Sequence, residues 1–119
     1  MSMDFLKSIR IAAGGMRAQA GRMRITAENI ANSSSTAQTA GGDPYRRKIP
    51  TFRTTFDREL QAQTVQLGPV RQQQGEFQTR FDPSHPAADA RGYVKIPNVN
   101  SLVESLDMRE AQRSYEANL

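Results

Sequence analysis

From Asp4 to Ala31 the apolar residues Phe5, Ile9, Ala12, Met16, Ala20, Met23, Ala27 and Ile30 return every three or four positions. At about 100° per residue they fall within an arc of roughly 80°, a narrow seam of the coiled-coil type along one long helix. Asp4 suits the positive start of such a helix, and Asn32 with the serines after it supplies a stop. A second stripe, Ile11, Gly14, Ala18, Gly21 and Ile25, is centred about 180° from the first. Two opposite stripes predict two packing partners. Each glycine costs a helix about 1 kcal/mol relative to alanine, a cost that makes sense where another backbone comes close; the competing reading is a kink at Gly14-Gly15.

Residues 33–44 are small, polar and glycine-rich without apolar period, and read as a linker. From Tyr45 to Phe81 the texture turns β-like in three pieces, Lys48 to Phe56, Thr64 to Val70 and Glu76 to Phe81, broken by Pro50 and Gly68-Pro69. Such breaks fit edge strands or a small irregular hairpin better than a central sheet, and an isolated hairpin is marginal in water. Residues 83–97 hold Pro83, Pro86 and Pro97 and read as an extended connection. Asn98 is the expected N-cap of a last helix, with Ser101 serving if it starts one turn later. In that helix Val99, Leu102, Val103 and Leu106 share one face, and Met108, Ala111, Tyr115 and Leu119 lie nearly opposite. The predicted organisation is therefore a helix over 1–32, a linker over 33–44, a small β-rich segment over 45–82, an extended connection over 83–97 and a helix over 98–119. The fold class is mainly α, its terminal helices joined through a small irregular β insert.

Composition sharpens this picture. Leu, Ile, Val and Phe together make 22 of 119 residues and Trp is absent, below the roughly 20% at which ordinary globular chains begin. Fixing each residue costs about 1–2 kcal/mol of backbone entropy, so so thin a core predicts a chain that gains order from partners. The net charge of +4 is unevenly spread: residues 1–31 carry +3 and residues 98–119 carry −2. The ends are electrostatically complementary. The basic run Arg46-Arg47-Lys48, with Arg53, Arg58, Tyr45, Phe52 and Phe56 nearby, makes a nucleic-acid or anionic-surface binding module the competing reading.

Catalytic chemistry has little to work with. There is no cysteine, and His85, the single histidine, lies between Ser84 and Pro86 far from any ligand set, where it reads as a solvated loop residue. Gly41-Gly42 lacks the spacing and the lysine of a phosphate loop, and Asp57 and Glu59 alone are a weak acid–base signal. No enzyme activity, cofactor or metal is expected. The start of the chain has no unbroken apolar run of the length a secretory signal or a membrane span requires.

Two blocks carry a resemblance. Asn29-Ile30-Ala31-Asn32, followed by a polar loop leading to Pro44-Tyr45-Arg46-Arg47-Lys48, is similar to the N-terminal signature of the axial proteins of the bacterial flagellum. The block from His85 to Asn100, including Gly92, Tyr93, Pro97 and Asn98, followed by Arg113-Ser114-Tyr115-Glu116-Ala117-Asn118, resembles the proximal rod members of that family. The resemblance implies a structural subunit of the periplasmic drive shaft, with terminal helices packed as a coiled-coil-like inner tube and the middle region outside it. It implies as partners other rod subunits, copies of the same chain, the inner-membrane ring and its rod adaptor. Export would run through the flagellar type III apparatus without a cleaved signal peptide, with neither nucleic-acid binding nor membrane insertion. Family members usually carry their last helix some turns past the Ala117-Asn118 step. Interface positions expected on the first helix are Phe5, Ile9, Met16, Met23 and Ile30, with Ile11, Ala18 and Ile25 behind them; on the last they are Leu102, Leu106, Met108 and Tyr115. Asn29 and Asn32 are expected to cap or cross-link the end of the first helix.

Overall fold

The computed structural model describes residues 2–119; Met1, at the head of the first predicted segment, lies outside them. Helix α1 spans Ser2–Ala31 and runs unbroken through Gly14-Gly15, so the pair is no kink. It ends at Asn32, whose Nδ2 donates to the Glu28 carbonyl at 2.9 Å while its Oδ1 accepts from Ser35 Oγ at 2.9 Å. One carbonyl of the last turn is thereby satisfied and the chain is turned out of the helix. Helix α2 spans Ser101–Glu116. Its N-cap is Asn100, whose Oδ1 accepts from the amides of Leu102 at 3.0 Å and Val103 at 3.3 Å. The cap expected at Asn98 is corrected by two residues, because the Asn98 side chain is engaged elsewhere: it accepts from Arg47 N at 2.6 Å and donates to Gln73 O at 3.2 Å.

The helices pack antiparallel. Asn29 meets Glu104, Arg22 meets Glu110, and a Cβ at Gly15 would lie 2.8 Å from Asn118 Oδ1. Contacts therefore recur at about seven-residue steps on both helices, and Ala111 in the middle is fully buried. Residues 2–14 of α1 continue past the end of α2, an overhang of about 20 Å at 1.5 Å per residue.

Between the helices lie six short strands in three antiparallel pairs. β1 (Lys48–Ile49) pairs with β4 (Arg71–Gln72), β2 (Phe52–Asp57) with β3 (Ala62–Leu67), and β5 (Thr79–Phe81) with β6 (Tyr93–Lys95). The β2–β3 hairpin lays β3 against α1. A Cβ at Gly14 would stand 3.7 Å from the Val65 carbonyl, and one at Gly21 only 2.7 Å from Leu67 Cδ2. The glycine stripe thus admits the chain's own hairpin, and the helix covers one strand edge. β6 falls inside the connection expected to be merely extended. Its pairing with β5 is fixed by Gly92 at φ +89°, where a side chain would meet Phe81 Cε1 at 2.9 Å, and by an edge-to-face contact of Phe81 with Tyr93 at 5.3 Å.

The linker over 33–44 is pinned rather than loose. Gly41 N donates to Ala87 O at 3.1 Å, Tyr45 N donates to Ser35 O at 2.9 Å, and Thr36 Oγ1 meets His85 Nε2 at 3.3 Å. His85 Nδ1 also accepts from Ala87 N at 2.9 Å, so this histidine ties two loops together instead of facing solvent. Buried apolar residues are few: Ala18, Ile25, Ala87, Val94 and Ala111. The molecule measures 69 × 24 × 18 Å with a radius of gyration of 19.5 Å, against about 13.5 Å for a compact chain of this length. No helix among the described residues is long and apolar enough to cross a membrane.

Candidate functional site

Two surfaces set this chain apart: a long apolar face left open on the helices, and a buried polar junction that holds the helices in place. On α1 the first stripe is uncovered at its start, with Phe5 66% and Ile9 48% exposed, and half-buried at Met16, Met23 and Ile30. Leu6 is likewise exposed. On the opposite stripe Ile11 is at the surface, whereas Ala18 and Ile25 are buried. The β2–β3 hairpin and α2 both lie on that side, so the subunit itself occupies the place that sequence left to a neighbour for those two residues. On α2, Leu102 at 70% and Leu106 at 55% point away from α1. Met108 and Tyr115 are half-buried on the face that carries Ala111 toward α1.

The junction sits where α1 ends and α2 begins. Asn29, 1% exposed, accepts on Oδ1 from Tyr45 OH at 2.7 Å and Lys48 N at 3.0 Å, and donates from Nδ2 to Lys48 O at 2.9 Å and Glu104 Oε2 at 3.4 Å. That uses the full donor and acceptor capacity of an amide. Glu104, also 1% exposed, is paired through Oε1 with Arg47 Nε, and Arg47 Nη2 reaches Asp107 Oδ2 at 3.5 Å. Lys48 Nζ meets Glu28 Oε1 at 2.5 Å. Burial first, then the carboxylates of Glu28 and Glu104, raise the Tyr45 phenol above its ordinary pKa. Among the described residues no buried side-chain polar atom lacks a partner. One junction therefore ties α1, the insert and α2 together.

Sequence reasoning singled out Asn29 but missed Glu104 and Arg47. The signal for Glu104 was present: it shares a helical face with Met108, Ala111 and Tyr115, where a carboxylate is out of place unless something pairs it. Of the other motif residues, Asn32 caps α1, Asn98 bridges Arg47 to Gln73, Gly92 and Tyr93 shape the β5–β6 turn, and Pro97 is buried ahead of α2.

The same geometry disposes of the basic cluster as a binding platform. Arg46 donates to the carbonyls of Gln73 at 2.8 Å and Gly75 at 3.0 Å and stacks 4.2 Å over the Phe77 ring. Arg47 and Lys48 are paired with acidic residues of the two helices. The acidic start of α2 is thus matched mainly by the insert, and Arg22–Glu110 at 3.5 Å is the direct ion pair between the helices among the described residues. A cleft of about 830 Å³ lies between α1 and strands β3 and β4, and its single carboxylate, Glu28, is already bound to Lys48.

Comparison with known proteins agrees with this reading. Residues 9–37 match the family described as flagella basal body rod protein, and residues 90–119 match the C-terminal family of flagellar basal body rod FlgEFG proteins. The flagellar basal-body rod protein FlgC of Agrobacterium fabrum is 49% identical over 110 residues, covering 92% of this chain and 79% of that protein. Its counterpart in Aquifex aeolicus is 40% identical over 98% of this chain and 86% of its own length. The Escherichia coli O157:H7 protein is 34% identical over 98% of this chain and 87% of its own length. An open apolar helix face, a thin core and these relatives converge: the chain belongs to the FlgC family of flagellar basal-body rod proteins and is a structural subunit of the rod.

Proposed function

We infer that the subunit works in the periplasmic drive shaft by burying the open faces of α1 and α2 on neighbouring subunits, so that torque passes through packed helices rather than through any chemistry. The observation that carries this is the run Phe5, Leu6, Ile9 on α1 with Leu102, Val103 and Leu106 on α2, all large, apolar and exposed in the single chain. Each such side chain contributes about 1.5–3 kcal/mol when buried, and sharing them among neighbours gives stiffness to the assembly. Exposed apolar area on this scale marks an interaction surface. In this reading the helices over 1–32 and 98–119 form the tube wall, the β insert over 45–82 rides outside it, and the segments over 33–44 and 83–97 join the two. The coiled-coil-like spacing of the α1 seam supports side-by-side helix packing.

The partners are other rod subunits and further copies of this chain, with the inner-membrane ring and its rod adaptor at the base. Passage through the flagellar type III apparatus belongs to the same reading, as the export route of a rod subunit. The test is complementation of a non-motile strain lacking this subunit. Ile9→Asp and Leu106→Asp, both at exposed positions that leave the fold intact, are expected to be exported at normal levels yet give no rod and no swimming. Full motility with both would overturn the reading.

A further inference from the structure

β2 is exposed along its length apart from its last residue, Asp57, and no element covers its outer edge. Its backbone phase follows from one bond: Gly68 N donates to Thr51 O. That makes Thr51–Gly68 a hydrogen-bonded pair of the hairpin, so the bonded pairs continue at Arg53–Gln66, Thr55–Thr64 and Asp57–Ala62. The amides and carbonyls of Phe52, Thr54 and Phe56 then point out of the hairpin, unpaired. An edge of this kind templates another strand.

We propose that this edge pairs with the same edge of a second copy, antiparallel and about a two-fold axis at Thr55. In that register the outward groups of Thr54 face those of the partner strand's Phe56, matching the phase of both edges. Arg53 comes opposite Asp57 of the second copy, twice by symmetry, in the non-hydrogen-bonded positions where side chains stand closest. Phe52 and Phe56, 41% and 50% exposed, fall on one face with their counterparts as diagonal neighbours, forming an aromatic cluster over the joined edges. Shifting the partner by two residues sets Arg53 opposite Thr55 in one direction and beyond the end of the strand in the other, and either way loses the pairing with Asp57. A two-fold contact closes on itself and cannot propagate along a polar rod. The dimer is therefore a state of the unassembled chain, a role beyond the rod reading that also shields an aggregation-prone edge before assembly. Strands of six residues bury less than about 1,000 Å², so association is weak and concentration-dependent.

Light scattering on the purified chain across a concentration series reads this directly, with a rise from monomer to dimer mass as the expected result. Thr54→Pro removes an N–H that the hairpin does not use, and should give a monomer at every concentration with helix content unchanged. Arg53→Glu sets two like charges together and should also abolish the dimer. Because the chain has no cysteine, Thr55→Cys should cross-link to itself under mild oxidation while Thr54→Cys should not. A wild-type chain that stays monomeric, a Thr54→Pro dimer, or cross-linking at Thr54→Cys in place of Thr55→Cys would overturn the proposal.

Discussion

At the scale of single residues, Glu104 shows how a polar group can set a structure. Its carboxylate is buried on the face of α2 that meets α1, and Arg47 supplies the compensating charge from the insert. Removing one partner leaves an uncompensated buried charge. Arg47→Met is therefore expected to destabilise the subunit by about 3–5 kcal/mol in urea melts, while the double variant Arg47→Met, Glu104→Met recovers much of the loss. Tyr45 adds a pH dependence of defined sign. Its folded pKa is raised, so below the ordinary tyrosine value of about 10 both states hold the proton and its contribution is complete; above it the unfolded chain ionises first and stability falls as pH rises through the folded value. Tyr45→Phe should flatten that alkaline decline and, through loss of the bond to Asn29, cost about 1 kcal/mol at neutral pH. Gly92 is held at φ +89° with Phe81 and Pro83 closing the space a side chain would need. Gly92→Ala should cost about 1–3 kcal/mol, read from the same melts.

At the scale of elements, the two helices were legible because their signal is local: a repeat of three and four residues in α1 and two apolar faces in α2. The glycine stripe predicted another backbone close by; it faces the chain's own β3 instead, with only an ordinary contact to the Val65 carbonyl at Gly14 and the end of the Leu67 side chain at Gly21. That partner could not be foreseen, since nothing in residues 62–67 encodes the side of α1 on which the hairpin will lie. The strand at Tyr93–Lys95 was hidden for a related reason: its partner stands fourteen residues upstream across a proline-rich loop, and pairing over such a distance leaves no periodic trace. Asn98 was mistaken for a cap because it is a good capping residue; only the contacts with Arg47 and Gln73 show that it is committed elsewhere. The two stripe glycines also differ in a testable way. Alanine at Gly14 meets only an ordinary contact and gains about 1 kcal/mol of helix propensity, so Gly14→Ala should raise the melting temperature. Gly21→Ala sets a methyl 2.7 Å from Leu67 Cδ2, so that side chain must shift, and the variant should gain less than Gly14→Ala.

At the scale of the whole molecule, the thin core and the exposed apolar positions of both helices carry the functional argument. Residues 2–14 run past the end of α2, and Phe5, Leu6 and Ile9 there have no cover of the kind that the junction around Asn29 gives the other end of the helix. Amide exchange in the free chain should accordingly be fast over this overhang and markedly slower from Gly15 to Ala31. The likeness of family motifs foretold a rod subunit, whereas the second stripe of α1, read as a place for a neighbour, is covered at Ala18 and Ile25 by the chain itself. The decisive measurement is thiol labelling at single engineered cysteines, Phe5→Cys, Leu102→Cys and Leu106→Cys, in the free chain and in isolated basal bodies from cells that remain motile. Rapid labelling of the free chain with strong protection of all three in the basal body is the expected result; equal labelling in both would contradict the burial of these faces between subunits.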